Sequence, residues 1–268
     1  MTEELETLVC RLYWEPRRRL RTAPRRPGEF IGPRHPFGTA GDHRARGAGE
    51  VRSYAAVYLE RVTAAARERA ALVRTLRDVG PEAPTLCAGW ATKDLVAHLL
   101  LRERRPDAAL GIALAPLAGY TAKIQRRLTA STEWSDLLAM LAAGPPLYSP
   151  FKLLDPLVNI AELFIHHEDV RRAAAEWTPR ELDGGMVAWL RRMVPLMSRM
   201  SLAGAPARVT LREHEGATLA AFGRGPQLVI AGAAPELVLF LSGRDAARVE
   251  FVGNPDTTAA VRAARRAL

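Results

Sequence analysis

The stretch Asp155-Pro156-Leu157-Val158-Asn159-Ile160-Ala161-Glu162-Leu163-Phe164-Ile165-His166-His167-Glu168-Asp169-Val170-Arg171 combines a helix-start signal with an unusual polar stripe. Asp155 is a good N-cap and Pro156 suits the first helical position, which predicts a helix over residues 156–174. At 100° per residue, with Glu162 at zero, His166 falls about 40° away, Asn159 about 60°, and Asp169 about 20° on the other side. Glu162 and His166 therefore project together, one turn apart, whereas His167 points about 140° away. Such a stripe faces either water, as most do, or the interior. Val158, Ile165 and Val170 flank it, while His167, Glu168 and Arg171 occupy the opposite side. Charges without partners are costly to bury, so that opposite side is expected to take the solvent and the stripe to face inward.

Outward from this helix the chain reads as further helices. Tyr54, Val57, Tyr58, Val62, Ala65, Ala66, Leu72, Val73 and Leu76 follow helical spacing from Ser53 to Val79, and Gly80-Pro81 ends the run. Residues 81–91 form a connection, Thr92 is an expected N-cap, and a second helix runs to about Arg105. The pattern thins until Tyr120; helices are then expected at 119–129 and 133–142, and at 181–202 with a kink at Pro195. After Pro206 the period changes to alternation, with short strands expected around Val209 and Leu211, at 217–222, at 227–231 and around Val249 and Phe251. Pro235–Leu241 and a segment from Asn254-Pro255 through Arg266 read as helices. The expected fold class is mainly α, with an antiparallel helical bundle over 51–204 followed by a small α+β domain over 205–268.

The composition supports a globular chain. Of 268 residues, 48% are apolar and 25% charged, near ordinary values. No apolar run approaches the roughly 20 residues that span a bilayer, and Glu3, Glu4 and Glu6 stand where a secretory signal would carry basic residues. Cys10 and Cys87 are the two thiols, too few for a disulfide framework, so a cytoplasmic setting is the default and no membrane partner is expected. The net charge of +9 invites a nucleic-acid reading. Yet residues 11–46 hold ten Arg and no Lys against Glu15, Glu29 and Asp42, whereas residues 51–268 carry 28 basic and 22 acidic groups. With six Gly, five Pro and no apolar periodicity, residues 1–50 read as a disordered basic leader. Three explanations compete for it: a tail touching nucleic acid or anionic lipid, a plain solvated extension, or a true start of translation near Val51.

An inward Glu162 and His166 need partners. His98 sits in a helix among Leu95, Val96, Leu99, Leu100 and Leu101; alone, it reads more simply as a satisfied core histidine. Should it meet Glu162 and His166 across the bundle, two imidazoles and one carboxylate make a three-ligand set suited to a divalent metal such as zinc, with a position left open. The E-x-x-x-H spacing by itself is a weak signal.

The stretch Thr85-Leu-Cys87-Ala-Gly89-Trp90-Ala-Thr92-Lys-Asp94-Leu-Val-Ala-His98-Leu99, followed by Glu162-Leu-Phe-Ile-His166-His167-Glu168-Asp169-Val170-Arg171, resembles the mycothiol-dependent maleylpyruvate isomerase family within the DinB-like superfamily. More closely it resembles an actinobacterial subgroup of metal-binding proteins that carries Leu101-Arg102-Glu103-Arg104-Arg105-Pro106-Asp107 and the His-His-Glu-Asp-Val-Arg-Arg run. The likeness covers about residues 55–260. It implies a DinB-like four-helix bundle with a metal, whose ligands match His98, Glu162 and His166, and a smaller α+β C-terminal domain. It further implies a thiol cofactor, mycothiol, and an arginine of the C-terminal domain that helps bind an anionic substrate, for which Arg244 in Phe240-Leu-Ser-Gly-Arg244 is the match. A helix-end cation is the competing reading of Arg244. Arg102, one turn after His98, is a second candidate for an anionic substrate or an internal ion pair. Asn159 and Asp169 are candidates to orient a ligand imidazole, and Cys87 reads as a small buried residue in the loop before Trp90. Three Lys against 35 Arg fit a GC-rich actinobacterial origin.

These readings lead to a divalent-metal-binding protein, with zinc the expected ion and a thiol-dependent isomerase or transferase activity. Its rivals are a non-enzymatic bundle with a structural metal or a hydrogen-bonded His-Glu-His cluster, and nucleic-acid contact through the leader.

Overall fold

A glycine-terminated helix opens the described chain: α1 spans residues 64–79, and the Gly80 amide closes it by donating to Leu76 O at 3.1 Å. The computed structural model describes residues 64–146, 148–214 and 216–265, with only the backbone described over 150–158. The basic leader and the expected start of the first helix at Ser53 lie outside the described residues. After the connection come α2 (Thr92–Arg104), α3 (Pro106–Ala113), a short 3-10 turn at Ala115–Leu117, α4 (Ala118–Ser131), α5 (Trp134–Ala143), α6 (Pro150–Arg171) and α7 (Gly184–Ser201). The chain continues through β1 (Arg208–Arg212), β2 (Thr218–Phe222), β3 (Gln227–Ala231), α8 (Ala234–Leu241), β4 (Glu250–Gly253) and α9 (Pro255–Ala264). The expected class, mainly helical with a small α+β portion at the C-terminal end, is observed. Among the described residues no helix is long and apolar enough to cross a membrane.

Several boundaries differ from expectation for local reasons. The helix expected from Asp155-Pro156 begins instead at Pro150, itself a proline at a first helical position, so Pro156 lies within α6. Ala91, not Thr92, is the N-cap of α2. The Thr92 hydroxyl donates to Gly80 O at 2.5 Å, while Asp94 reaches back to accept from the Ala91 amide at 3.2 Å. The helix α3 falls in a stretch read as patternless: Pro-Asp-Ala-Ala-Leu-Gly-Ile-Ala is too short and too uniformly apolar to show a period, although Pro106 was a start signal. Pro195 sits inside α7 without ending it, and Asp183 caps that helix by accepting from the Met186 amide at 3.0 Å.

The sheet has the order β2-β1-β3-β4. Strands β1 and β2 pair antiparallel with Val209 opposite Phe222, β1 and β3 pair parallel with Thr210 opposite Val229, and β3 and β4 pair antiparallel with Ile230 opposite Phe251. Alternation along β1 turns Val209 and Leu211 inward. They join a core that includes Leu228, Ile230, Leu237 and Phe240 from the C-terminal elements, and also Trp189 and Val194 of α7 and Ile160 and Phe164 of α6. A second core gathers Leu72 and Leu76 of α1, Leu95 and Leu99 of α2, Leu137 and Leu141 of α5, and Leu163 and Val170 of α6. Helix α6 therefore contributes to both cores.

This placement corrects the expectation that His167, Glu168 and Arg171 take the solvent side of α6. His167 and Glu168 are buried, at 3% and 0% exposure. Their charges meet partners instead of water. His167 Nδ1 lies 2.9 Å from Glu68 Oε1, and its Nε2 lies 2.9 Å from Thr75 Oγ1. Glu168 accepts from Arg171 Nη1 at 3.0 Å, Arg172 Nε at 2.7 Å and Arg180 Nε at 2.6 Å. Arg180 also pairs with Glu68, and Arg172 makes a two-pronged bond to Glu236 of α8 at 2.6 and 2.9 Å. Trp177 stacks beneath the Arg172 guanidinium at 4.3 Å. This network ties α1, α6, the segment after α6 and α8 into one unit.

Burial alone would raise the Glu68 and Glu168 carboxyls, but the bonds and charges of His167 and Arg180, and of Arg172, Arg171 and Arg180, hold them below the usual value. Their stabilisation is thus complete above the unfolded glutamate value of about 4.3 and is lost as pH falls through the lower folded values. Glu168→Gln is expected to lower stability at neutral pH by about 3 to 5 kcal/mol, because it removes the charge that three guanidinium groups share, that of Arg172 buried. Urea unfolding at neutral pH measures that loss, and thermal melting from neutral to acidic pH should show a shallower acid limb in the variant. A Cβ on Gly111 of α3 would run into Thr121 Oγ1 and the Leu117 backbone oxygen. Gly111→Ala should therefore destabilise by about 1 to 3 kcal/mol through overpacking, read as a lowered Tm.

Candidate metal centre

Helices α2 and α6 lie side by side, and the spacing of residues along each decides what meets between them. On α6, Glu162, His166 and Asp169 follow at i, i+4 and i+7 and share one face. On α2, His98 interrupts a run of buried leucines and presents its ring to that face. The His98 and His166 rings are 5.3 Å apart between centroids and inclined at 71°. One donor atom each of His98, Glu162 and His166 lies within 4.8 Å of the others. Trp90, from the connection before α2, also meets His98, with ring centroids 5.1 Å apart and planes inclined at 47°.

The two nitrogens of His166 face different carboxylates. Nε2 lies 3.5 Å from Glu162 Oε2, and Nδ1 lies 2.9 Å from Asp169 Oδ2. Asp169 has no exposed surface. It also accepts from the Cys87 thiol at 3.2 Å and from the Arg244 guanidinium, Nε to Oδ1 at 2.9 Å and Nη2 to Oδ2 at 2.7 Å. Cys87, Asp169 and His166 thereby form a second cluster sharing the imidazole with the first. Arg102, one turn beyond His98, donates through Nη1 to Asn159 Oδ1 at 2.7 Å, and its Nη2 lies 3.8 Å from Glu162 Oε1. Glu162 keeps a third of its side chain exposed, so the trio opens to solvent on its side.

All the residues singled out from the sequence are thus neighbours, in two layers. His98, Glu162 and His166 point at one another. Asp169 holds the back of His166, whereas Asn159 meets Arg102 and not an imidazole. Arg244 meets Asp169. The sequence reads Cys87 as a small buried residue, whereas the structure leaves it half-buried; its thiol bond to Asp169 spans 82 positions, a distance over which no local pattern carries information.

The electrostatics give each member of the cluster its own charge state. Burial and the neighbouring His166 push His98 down to about 3, against the pull of Glu162, so it is a neutral donor with a lone pair available. Loss of water would raise the Glu162 carboxyl, but the His166 bond and the Arg102 charge hold it down, at about 2. Burial would lower His166, yet its bonds with Asp169, Cys87 and Glu162 hold it well above the ordinary imidazole value. Burial would also raise Asp169, and Arg244 and His166 overturn that and keep it ionised. Two imidazoles and a carboxylate from two rigid helices, backed by a carboxylate on the outer nitrogen, fit the donor set and the outer support of a divalent metal.

No protein-family model matches this chain, and no curated protein matches it. Two solved structures are similar. The crystal structure of the mycothiol-dependent maleylpyruvate isomerase is 17% identical with a TM-score of 0.50, over 74% of this chain and 94% of that one. A point-mutant structure of the same isomerase gives 17%, 74%, 94% and a TM-score of 0.49. The resemblance expected from the sequence is therefore borne out at the level of the fold.

In the protein stripped of metal, histidine NMR is expected to show His98 neutral between about pH 5 and 8, a range in which an ordinary imidazole changes charge. His166 should remain protonated at pH 7 in the same sample. A neutral His166 at pH 7 would show that burial outweighs the bonds with Asp169, Cys87 and Glu162, although a neutral ring can still donate from Nδ1 to Asp169.

Proposed function

We propose that the chain binds a divalent metal, zinc in the first place, through His98, Glu162 and His166. On this reading it acts as a thiol-dependent isomerase or transferase on a small anionic substrate, with mycothiol the candidate thiol. The observation that carries the reading is the convergence of the three donor groups within 4.8 Å of one another, with Asp169 behind His166 at 2.9 Å.

Three protein donors leave a position open, which distinguishes a catalytic from a closed structural site. When bound, such an ion lowers the pKa of a coordinated water or thiol and polarises a carbonyl. The chain's own groups supply the rest. Asp169 orients the His166 ring and favours presentation of Nε2 to the trio. Trp90 packs its ring against that of His98. Arg102, bonded to Asn159 and beside Glu162, contributes positive charge at the margin of the site. A protonated His166 must release its proton as a cation binds, so affinity is expected to rise with pH until that proton is gone. The likeness in fold to an isomerase described as mycothiol-dependent supports thiol chemistry as the first to try.

Elemental analysis of purified protein should find about one metal per chain, since one donor trio holds one ion. His166→Ala should lose it while its circular dichroism remains that of a folded helical protein. Full metal retention in that variant would overturn the site. A thiol-transfer screen with mycothiol, on protein carrying its metal, tests the activity. A large drop in Tm on chelation, with no exchangeable position in the spectrum of cobalt-substituted protein, would instead identify a structural metal.

A further inference from the structure

We propose that Arg244 is a positioning residue of the metal centre, acting through Asp169 on His166, so that the α+β portion completes a site whose direct donors all lie on helices of the bundle. The inference rests on the metal reading of His98, Glu162 and His166 and assigns a role to a residue outside that trio.

The local sequence explains how Arg244 is delivered. Gly243 follows the end of α8 with φ of 95°, a conformation that glycine adopts without a Cβ penalty. Its amide donates to Phe240 O at 3.1 Å, and the Arg244 amide donates to Leu239 O at 3.0 Å. That pair of bonds is a Schellman turn, which fixes the direction in which the chain leaves the helix. The Arg244 side chain then folds back so that Nη1 donates to Ser242 O at 2.5 Å. The remaining edge of the guanidinium, Nε and Nη2, meets both oxygens of Asp169. Nη2 also faces Cys87 Sγ at 3.8 Å.

The geometry says what this contact does. A carboxylate bound at one oxygen can rotate, whereas a planar fork bound to both oxygens fixes its plane. Oδ2 is the atom that meets His166 Nδ1, so fixing the carboxylate fixes the rotation of the imidazole about its side-chain bonds. The direction in which Nε2 presents its lone pair to a metal follows from that rotation. Arg244 is 14% exposed, and its Nε, Nη1 and Nη2 all donate within the protein, which leaves little of it to receive a substrate. A substrate-binding arginine would need the reverse, an edge free toward the pocket. The bond spans 75 positions of sequence, and it links the segment after α8 directly to the outer side of the centre.

The test compares zinc affinity, by competition with a chromophoric chelator, in wild type, Arg244→Ala, Asp169→Asn and the double variant. Outer support of this kind is worth about 10- to 100-fold in metal affinity. Each single variant is expected to weaken zinc binding by that factor, and the double variant to be no weaker than the weaker single one, because both changes remove the same support. The cobalt-substituted single variants should show the same displacement of the visible absorption bands, which a loss of fold stability alone would not produce. If Arg244→Ala folds poorly, Arg244→Lys keeps the charge without the fork and reads the same loss. Wild-type zinc affinity in the folded arginine variant, or losses that multiply in the double variant, would overturn the proposal while the metal site stands. No zinc binding by the wild-type chain would overturn both.

Discussion

Four consecutive side chains of α6, His166, His167, Glu168 and Asp169, are buried, and the rest of the structure is arranged to make that tolerable. Moving an ionised group out of water costs several kcal/mol even after the protein relaxes, so each one demands a partner brought from elsewhere. The partners come from distant parts of the chain: Glu68 and Thr75 from α1, Arg180 from the segment after α6, Glu236 through Arg172, Cys87 from the connection before α2, and Arg244 from the turn after α8. A helix of this composition could not sit at the centre of the molecule without those elements around it. Its charges therefore constrain the tertiary arrangement as strongly as its apolar residues do.

The two sides of α6 resolve the constraint differently. Toward α1 and α8, carboxylates face guanidinium groups in two-pronged or repeated bonds, and the result is an internally neutralised lattice. Toward α2, two imidazoles and a partly exposed carboxylate face each other with Arg102 at the margin. One side is saturated by the protein; the other offers donors and access. That contrast favours a ligand site at the second face over a purely structural cluster.

Much of the fold was legible because its elements carry strong local signals. The alternation at Val209 and Leu211, the prolines at the starts of α8 and α9, and the glycine after Phe240-Leu-Ser each act over a few residues and survived into the structure. The weaker cases had competing local solutions. Thr92 could cap α2 or bond Gly80 O, and the chain's return past Gly80 made the second available. Pro150 and Pro156 are both compatible with a helix start, and the longer helix includes both. The inward turn of the Glu162 and His166 stripe was anticipated on the premise that His167 and Glu168 require solvent. The orientation agrees with the structure, while the premise does not, because Glu68 and Thr75 of α1 replace water at His167 and Arg171, Arg172 and Arg180 replace it at Glu168.

The sequence by itself determined the helical periodicity of α6, the common face of Glu162, His166 and Asp169, and the change from helical to alternating pattern after Pro206. These follow from backbone geometry, which repeats every few residues and so is written locally. The tertiary structure alone decided that His98 faces His166, that Asp169 sits between an imidazole and Arg244, and that the charges beyond His166 are paired inside the protein. Those outcomes depend on which surfaces meet when both cores form. A charged side chain looks the same in the sequence whether water or a guanidinium from a remote helix completes it.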